Sequence, residues 1–245
     1  MASKIEILSI PIWNVTMDET KNFVFQCIQE NRAAIIATAN AEMVMKAQTD
    51  NELAHVLQNA DMVIPDGAGV LWAAEQQGDK FKERVAGFDL ACRLLQEAAV
   101  RQTAVYLFGG AEGVAYTAVE KCSETFGKIN VVGIRSGFFT EEEEKQIIQD
   151  IRESGTKILF VALGVPKQEK WIYQHLSELG NCVCVGVGGT FDVLAGNSCR
   201  APQWMQRNRL EWLYRLCKEP TRFKRMLALP KFVAAVRFNK NTHKN

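Results

Sequence analysis

Seven short runs of almost unbroken apolar, largely β-branched residues recur along this chain, at 5–10, 34–38, 62–64, 104–108, 130–134, 158–163 and 182–187. Runs without polar alternation suit strands covered on both faces, which in an open sheet means parallel strands with helices above and below. The stretches between them carry helical signals. One helix is expected to begin near Asp18, and Asn40 to cap a second that runs through Asp50. Others are expected over 67–77, 88–100, 112–126, 141–153 and 167–179. Thr140 precedes four glutamates and reads as an N-cap with acids against the positive end of the helix dipole. The alternation predicts an α/β fold, a Rossmann-like and mostly parallel sheet with helices on both faces. At 245 residues and 47% hydrophobic content the chain can bury a full core.

The pattern changes at Arg200, so a body over 1–199 and a helical appendage over 200–245 are expected. Pro202 suits a first helical turn, and 203–218 reads as one helix bearing Trp204, Met205, Trp212, Leu213 and Leu216. Pro220 breaks it, and 221–229 reads as a shorter helix before Pro230. The net charge of +1 conceals a strong asymmetry. Twelve Lys/Arg face only Glu211 and Glu219 from Arg200 onward, giving +10, while the first 199 residues carry −9. Such a segment is expected to meet phosphate, on lipid, nucleotide or nucleic acid. No nucleic-acid reader motif is present and the acidic body would repel a phosphate backbone, so no nucleic-acid partner is expected. Trp204, Trp212, Phe223, Met226, Leu227, Phe232 and Val233 interleave with the cations. Two readings stand for them: an interfacial element on an anionic membrane, or packing against the body.

Seven cysteines without a disulfide framework, no signal peptide and no apolar run of 18 residues point to a reducing cytoplasm. Cys182 and Cys184 would share one strand face as a buried thiol pair rather than a metal site.

Ligands of doubly wound sheets bind beyond the carboxyl ends of the strands. Five polar or glycine-rich clusters fall there: Thr38-Ala39-Asn40, Pro65-Asp66-Gly67, Gly109-Gly110-Ala111-Glu112-Gly113, Gly164-Val165-Pro166-Lys167-Gln168-Glu169 and Gly188-Gly189-Thr190-Phe191-Asp192. Gly109-Gly110 and Gly113 open a helix and suit phosphate approach, but neither their spacing nor a following acid completes a dinucleotide fingerprint. Asp66 has two compatible readings, an N-cap for the helix after it and a general base toward an alcohol. Arg84 is either a surface ion pair or a donor to a phosphate or sugar. Glu169 reads as a dipole-favoured first-turn acid, and Gln168 as a partner for sugar hydroxyls. His55, His175 and His243 are scattered and no Asp-x-Asp cluster follows a strand, so neither a metal nor another cofactor is expected. A nucleotide diphosphate leaving without metal needs cationic side chains, and the basic segment can supply them.

These clusters, with Glu83-Arg84-Val85-Ala86-Gly87, Arg200-Ala201-Pro202, Leu210-Glu211-Trp212-Leu213-Tyr214-Arg215-Leu216 and Glu219-Pro220, resemble the WecG/TagA/CpsF glycosyltransferases over nearly the whole chain, nearest their TagA-type members. The resemblance implies transfer of N-acetylmannosamine from a UDP-sugar donor to the 4-hydroxyl of N-acetylglucosamine on undecaprenyl diphosphate, in wall teichoic acid synthesis. It implies inversion without metal, at the inner face of the plasma membrane. Carried onto this sequence, it makes Asp66 the base and has Thr38, Asn40, Arg84 and Gln168 line the sugar pocket. Gly189, Phe191 and Asp192 would lie near the uridine, and Arg215, Arg222 and Arg225 would close over the diphosphate. A uronic acid donor and a homo-oligomer stay open at this point.

Overall fold

The computed structural model describes residues 3–218, 223 and 227–242. Strands β1 (Lys4–Ile7) and β2 (Ile10–Trp13) form an antiparallel hairpin separate from the main sheet. The single strand expected over 5–10 is therefore wrong. The chain reverses at Leu8 and Ser9, both at positive φ, so Ile7 pairs with Ile10 and Ile5 with Ile12. A two-residue turn moves the inward positions from odd to even numbers, and all four isoleucines are buried.

The other expected strands exist and are all parallel: β3 (Ala34–Ala39), β4 (Met62–Pro65), β5 (Val105–Gly109), β6 (Val131–Arg135), β7 (Ile158–Ala162) and β8 (Val183–Gly186), in the order β4-β3-β8-β7-β5-β6. Two hydrophobic layers sandwich this sheet. Successive residues alternate between them: Ile35, Phe108, Leu159 and Cys184 face one layer, while Ile36, Leu107, Phe160 and Val185 face the other. Cys182 and Cys184 share a face as expected, with sulfurs 3.7 Å apart and both buried.

Helices α1 (Met17–Gln29) and α7 (Glu141–Glu153) each start with a capping box, from Thr16 with Glu19 and from Thr140 with Glu143. Asn40 caps α2 (Ala41–Ala47) by accepting from the Met43 N–H at 3.0 Å. Asp50 does not lie within that helix as expected. It starts another, α3 (Asn51–Asn59), through a bond from the Leu53 N–H. α4 (Ala68–Gln77), α5 (Gly87–Arg101), α6 (Val114–Phe126) and α8 (Lys167–His175) follow the expected pattern, and α9 (Thr190–Leu194) adds a short turn after β8.

After Arg200 the expected single helix is two, α10 (Gln203–Arg207) and α11 (Glu211–Lys218), because Arg209 takes a φ of +63° that no helix interior tolerates. Pro230 does not end a helix either. It sits in the first turn of α12 (Ala228–Thr242), where its missing N–H costs nothing. The helix expected over 221–229 lies mostly outside the described residues. α12 packs on α2 and α4 and buries Phe232 and Val236, each 1% exposed, in the first hydrophobic layer.

Candidate functional site

The carboxyl ends of β3, β4 and β8 converge on Asp66. Its main-chain N–H still bonds the Ala39 oxygen at 3.0 Å, so the residue is held at the rim as an extension of β4. The N-cap position of α4 is taken by Gly67, which has no side chain to cap with, so Asp66 is not the N-cap residue itself. Glycine is required at Gly67, since a Cβ there would lie 2.8 Å from the Asn40 Cβ. That close approach sets the starts of α2 and α4 side by side.

Asp66 forms a wall of three adjoining cavities. The first, about 170 Å³, lies between the starts of α2 and α4 and the residues Arg209, Glu211, Trp212 and Leu229 of the C-terminal segment. The second, about 60 Å³, is bounded by Thr38, Arg84, Gly87, Gly189 and Glu211. The third, about 490 Å³, is shaped by Thr38, Asn40, Gly188, Gly189 and Asp192 at the ends of β3 and β8. Thr38, Asn40, Asp66, Arg84, Gly189 and Asp192, separated widely in sequence, are thus brought together.

Arg84 is not a surface ion pair. A bond from the Val85 N–H to the Pro65 oxygen draws its loop onto β4. Its Nε donates to the Asp66 main-chain oxygen at 2.5 Å, and its Nη2 lies 2.8 Å from Glu211 Oε2 and 3.8 Å from Asp66 Oδ1.

Gln168 lines the third cavity at 1% exposure, with its amide in use. Its Oε1 accepts from the Gly164 and Gly188 N–H groups, both at 3.1 Å, so it ties the β7 and β8 loops together. Its Nε2 donates to Glu169 Oε1 at 2.7 Å. Phe191 is likewise a core side chain, packed near Gly110. Gly109 and Gly110 line none of the three cavities. A Cβ on Gly109 would lie 2.5 Å from the Ala162 carbonyl, so this glycine lets β5 and β7 end close together. The side chain of Arg215 and the whole of Arg222 and Arg225 lie outside the described residues.

Glu169 is a buried carboxyl and not a solvated first-turn acid. Burial raises it from 4.5 to about 7, and its Oε2 has no hydrogen-bond partner. An acid raised in this way contributes stability below its unfolded value, and that stability is lost as pH climbs through about 7. Glu169→Gln removes this dependence. The variant is expected to gain on the wild type between pH 5 and pH 8 by up to about 3 kcal/mol. Denaturant unfolding at the two pH values measures it, and parallel pH dependences would contradict it.

Sequence reasoning missed Glu211, Arg209 and Arg200. Arg200 makes two bonds to the Asp89 carboxylate and stacks over Phe88, while Arg209 makes two bonds to Glu75. Among the described residues, Arg84–Glu211 makes a third ion pair joining the C-terminal segment to the body, and two appendage cations are already matched by body acids. The available signal was Glu211 itself, an acid in a cationic segment. Among the described residues, no three His, Cys, Asp or Glu side chains group as metal ligands would.

The family model for WecG/TagA/CpsF glycosyl transferases matches residues 5–245. The chain belongs to that family. Two relatives sharpen the comparison for this glycosyl transferase. A Bacillus spizizenii protein is 36% identical over 209 residues, 85% of this chain and 80% of its own, and is named N-acetylglucosaminyldiphosphoundecaprenol N-acetyl-beta-D-mannosaminyltransferase. A Bacillus subtilis strain 168 protein of the same name is 34% identical over 85% of this chain and 81% of its own.

Proposed function

We propose that this glycosyl transferase moves N-acetylmannosamine from UDP-N-acetylmannosamine to the 4-hydroxyl of N-acetylglucosaminyl-diphospho-undecaprenol, the linkage unit of wall teichoic acid. The observation that carries the chemistry is the Asp66 carboxylate in the common wall of three cavities. The substrates are supported by the shared name of the two Bacillus relatives.

Asp66 takes the acceptor proton as the hydroxyl oxygen forms its bond to the anomeric carbon. The bond from that carbon to the diphosphate breaks on the opposite face, and its electron pair leaves with UDP, so the configuration inverts. The third cavity takes the nucleotide, bounded by Gly189 and Asp192. The first cavity takes the acceptor sugar. Arg215, Arg222 and Arg225 neutralise the departing diphosphate, completing the body with the segment after Arg200. Incubating the protein with UDP-N-acetylmannosamine and a short-prenyl acceptor is expected to yield equal amounts of UDP and disaccharide lipid. Transfer from the uronic acid donor alone would overturn the donor assignment.

The enzyme works at the inner face of the plasma membrane as a peripheral protein. Among the described residues, no helix is long and apolar enough to cross a bilayer. The aromatic residues of the C-terminal segment divide into two groups. Phe232 packs in the core, whereas Trp204 and Phe223 are 60% and 59% exposed. Flotation with anionic vesicles is expected to carry the protein upward and to weaken as salt is raised. Equal flotation with neutral vesicles would contradict the electrostatic part.

A further inference from the structure

Glu211 stands at the start of α11, 9% exposed, where the first and second cavities meet Asp66 and Arg84. The Arg84 guanidinium has two carboxylates beside it. Its Nη2 is 2.8 Å from Glu211 Oε2 but 3.8 Å from Asp66 Oδ1. A cation this close to a carboxylate stabilises the ionised form and so makes it a poorer proton acceptor. An anion paired with that cation cancels part of the effect. Among the described residues, other charges face the same space. Arg209, between α10 and α11, and Glu42 on α2 line the first cavity, and Arg209 is bonded to Glu75 of α4. Arg200 lines the second cavity and is bonded to Asp89 of α5. From α12, the lining residues Ala228 and Leu229 are uncharged. Of Asp66 and Glu211, the C-terminal segment supplies the second.

We propose that Glu211 is a positioning residue for sugar transfer: it draws Arg84 away from the Asp66 carboxylate and keeps that carboxylate able to accept the acceptor's proton. The segment after Arg200 then supplies a determinant of the base's strength as well as cavity walls. This inference rests on Asp66 being the base of the proposed transfer.

The test is the pH dependence of kcat/KM for the full-length protein with UDP-N-acetylmannosamine and a short-prenyl acceptor, in the wild type, Glu211→Gln, Glu211→Asp and Asp66→Asn. In Glu211→Gln the acid limb is expected to move to lower pH by about one unit, with a several-fold lower plateau. Glu211→Asp restores the charge and is expected to return the limb toward the wild-type position. A limb position does not depend on how much enzyme is folded, so partial misfolding does not obscure it. Wild-type turnover in Asp66→Asn overturns the base reading itself. An inactive Asp66→Asn together with an unmoved limb in Glu211→Gln overturns the role of Glu211 alone and leaves it as a docking contact. An unmoved limb with a lower KM for the nucleotide sugar overturns it too, because Glu211 would then compete with substrate for Arg84.

Discussion

Asp66→Asn is expected to lower transfer by about a hundredfold to ten-thousandfold, the range a positioned general base contributes. The amide has the same shape and cannot accept the proton. The fold has little reason to respond, because the start of α4 uses no side-chain cap and the Asp66 main chain keeps its bonds to Ala39 and Arg84. UDP binding should therefore stay near the wild-type value while turnover collapses. Isothermal titration with UDP, alongside product formation, separates the two. Loss of binding and turnover together would reassign Asp66 to holding the donor.

Phe232→Ala is expected to cost about 3–5 kcal/mol, as for other buried aromatic truncations. Phe232 is 1% exposed and lies close to Gly69 in the first turn of α4, where a Cβ on Gly69 would come 3.6 Å from its ring. The same helix face meets α2, whose cap is Asn40. The cavity left by the ring would therefore open directly beneath the wall that carries Asn40 and Asp66. A lower unfolding midpoint in denaturant and reduced transfer are both expected, and an unchanged midpoint would contradict the docking of α12. This packing also bears on truncation. Cutting the chain after Ala195 strips Phe232 and Val236 from the core, so lost activity in that variant would reflect a damaged body as well as missing arginines. Point substitutions such as Glu211→Gln test the segment more cleanly.

The central strands were legible because a strand buried on both faces has to be apolar throughout, and 34–37, 158–163 and 182–187 are. The hairpin was not, because Leu8-Ser9 lacks the usual asparagine or glycine of a tight turn and the run of isoleucines hides its change of phase. The split of 203–218 was invisible for a related reason: Arg209 adopts a left-handed conformation with no glycine to announce it. At the site, Thr38, Asn40 and Asp66 could be found because strand-end position alone marks them. Gln168 lines the third cavity, but the bonds that hold its amide come from Gly164 and Gly188 on two separate loops, which nothing in the sequence brings together. Glu211 escaped assignment because its partner lies 127 residues away, and only the folded chain brings the two together.

Stereochemistry tests the central claim most directly. Proton NMR of the lipid-linked product, made from the α-linked UDP donor, reports the configuration at the transferred anomeric carbon. One displacement by a hydroxyl activated at Asp66 predicts a β linkage. An α linkage would require two displacements or front-face transfer, and would contradict Asp66 as the base of a single inverting step.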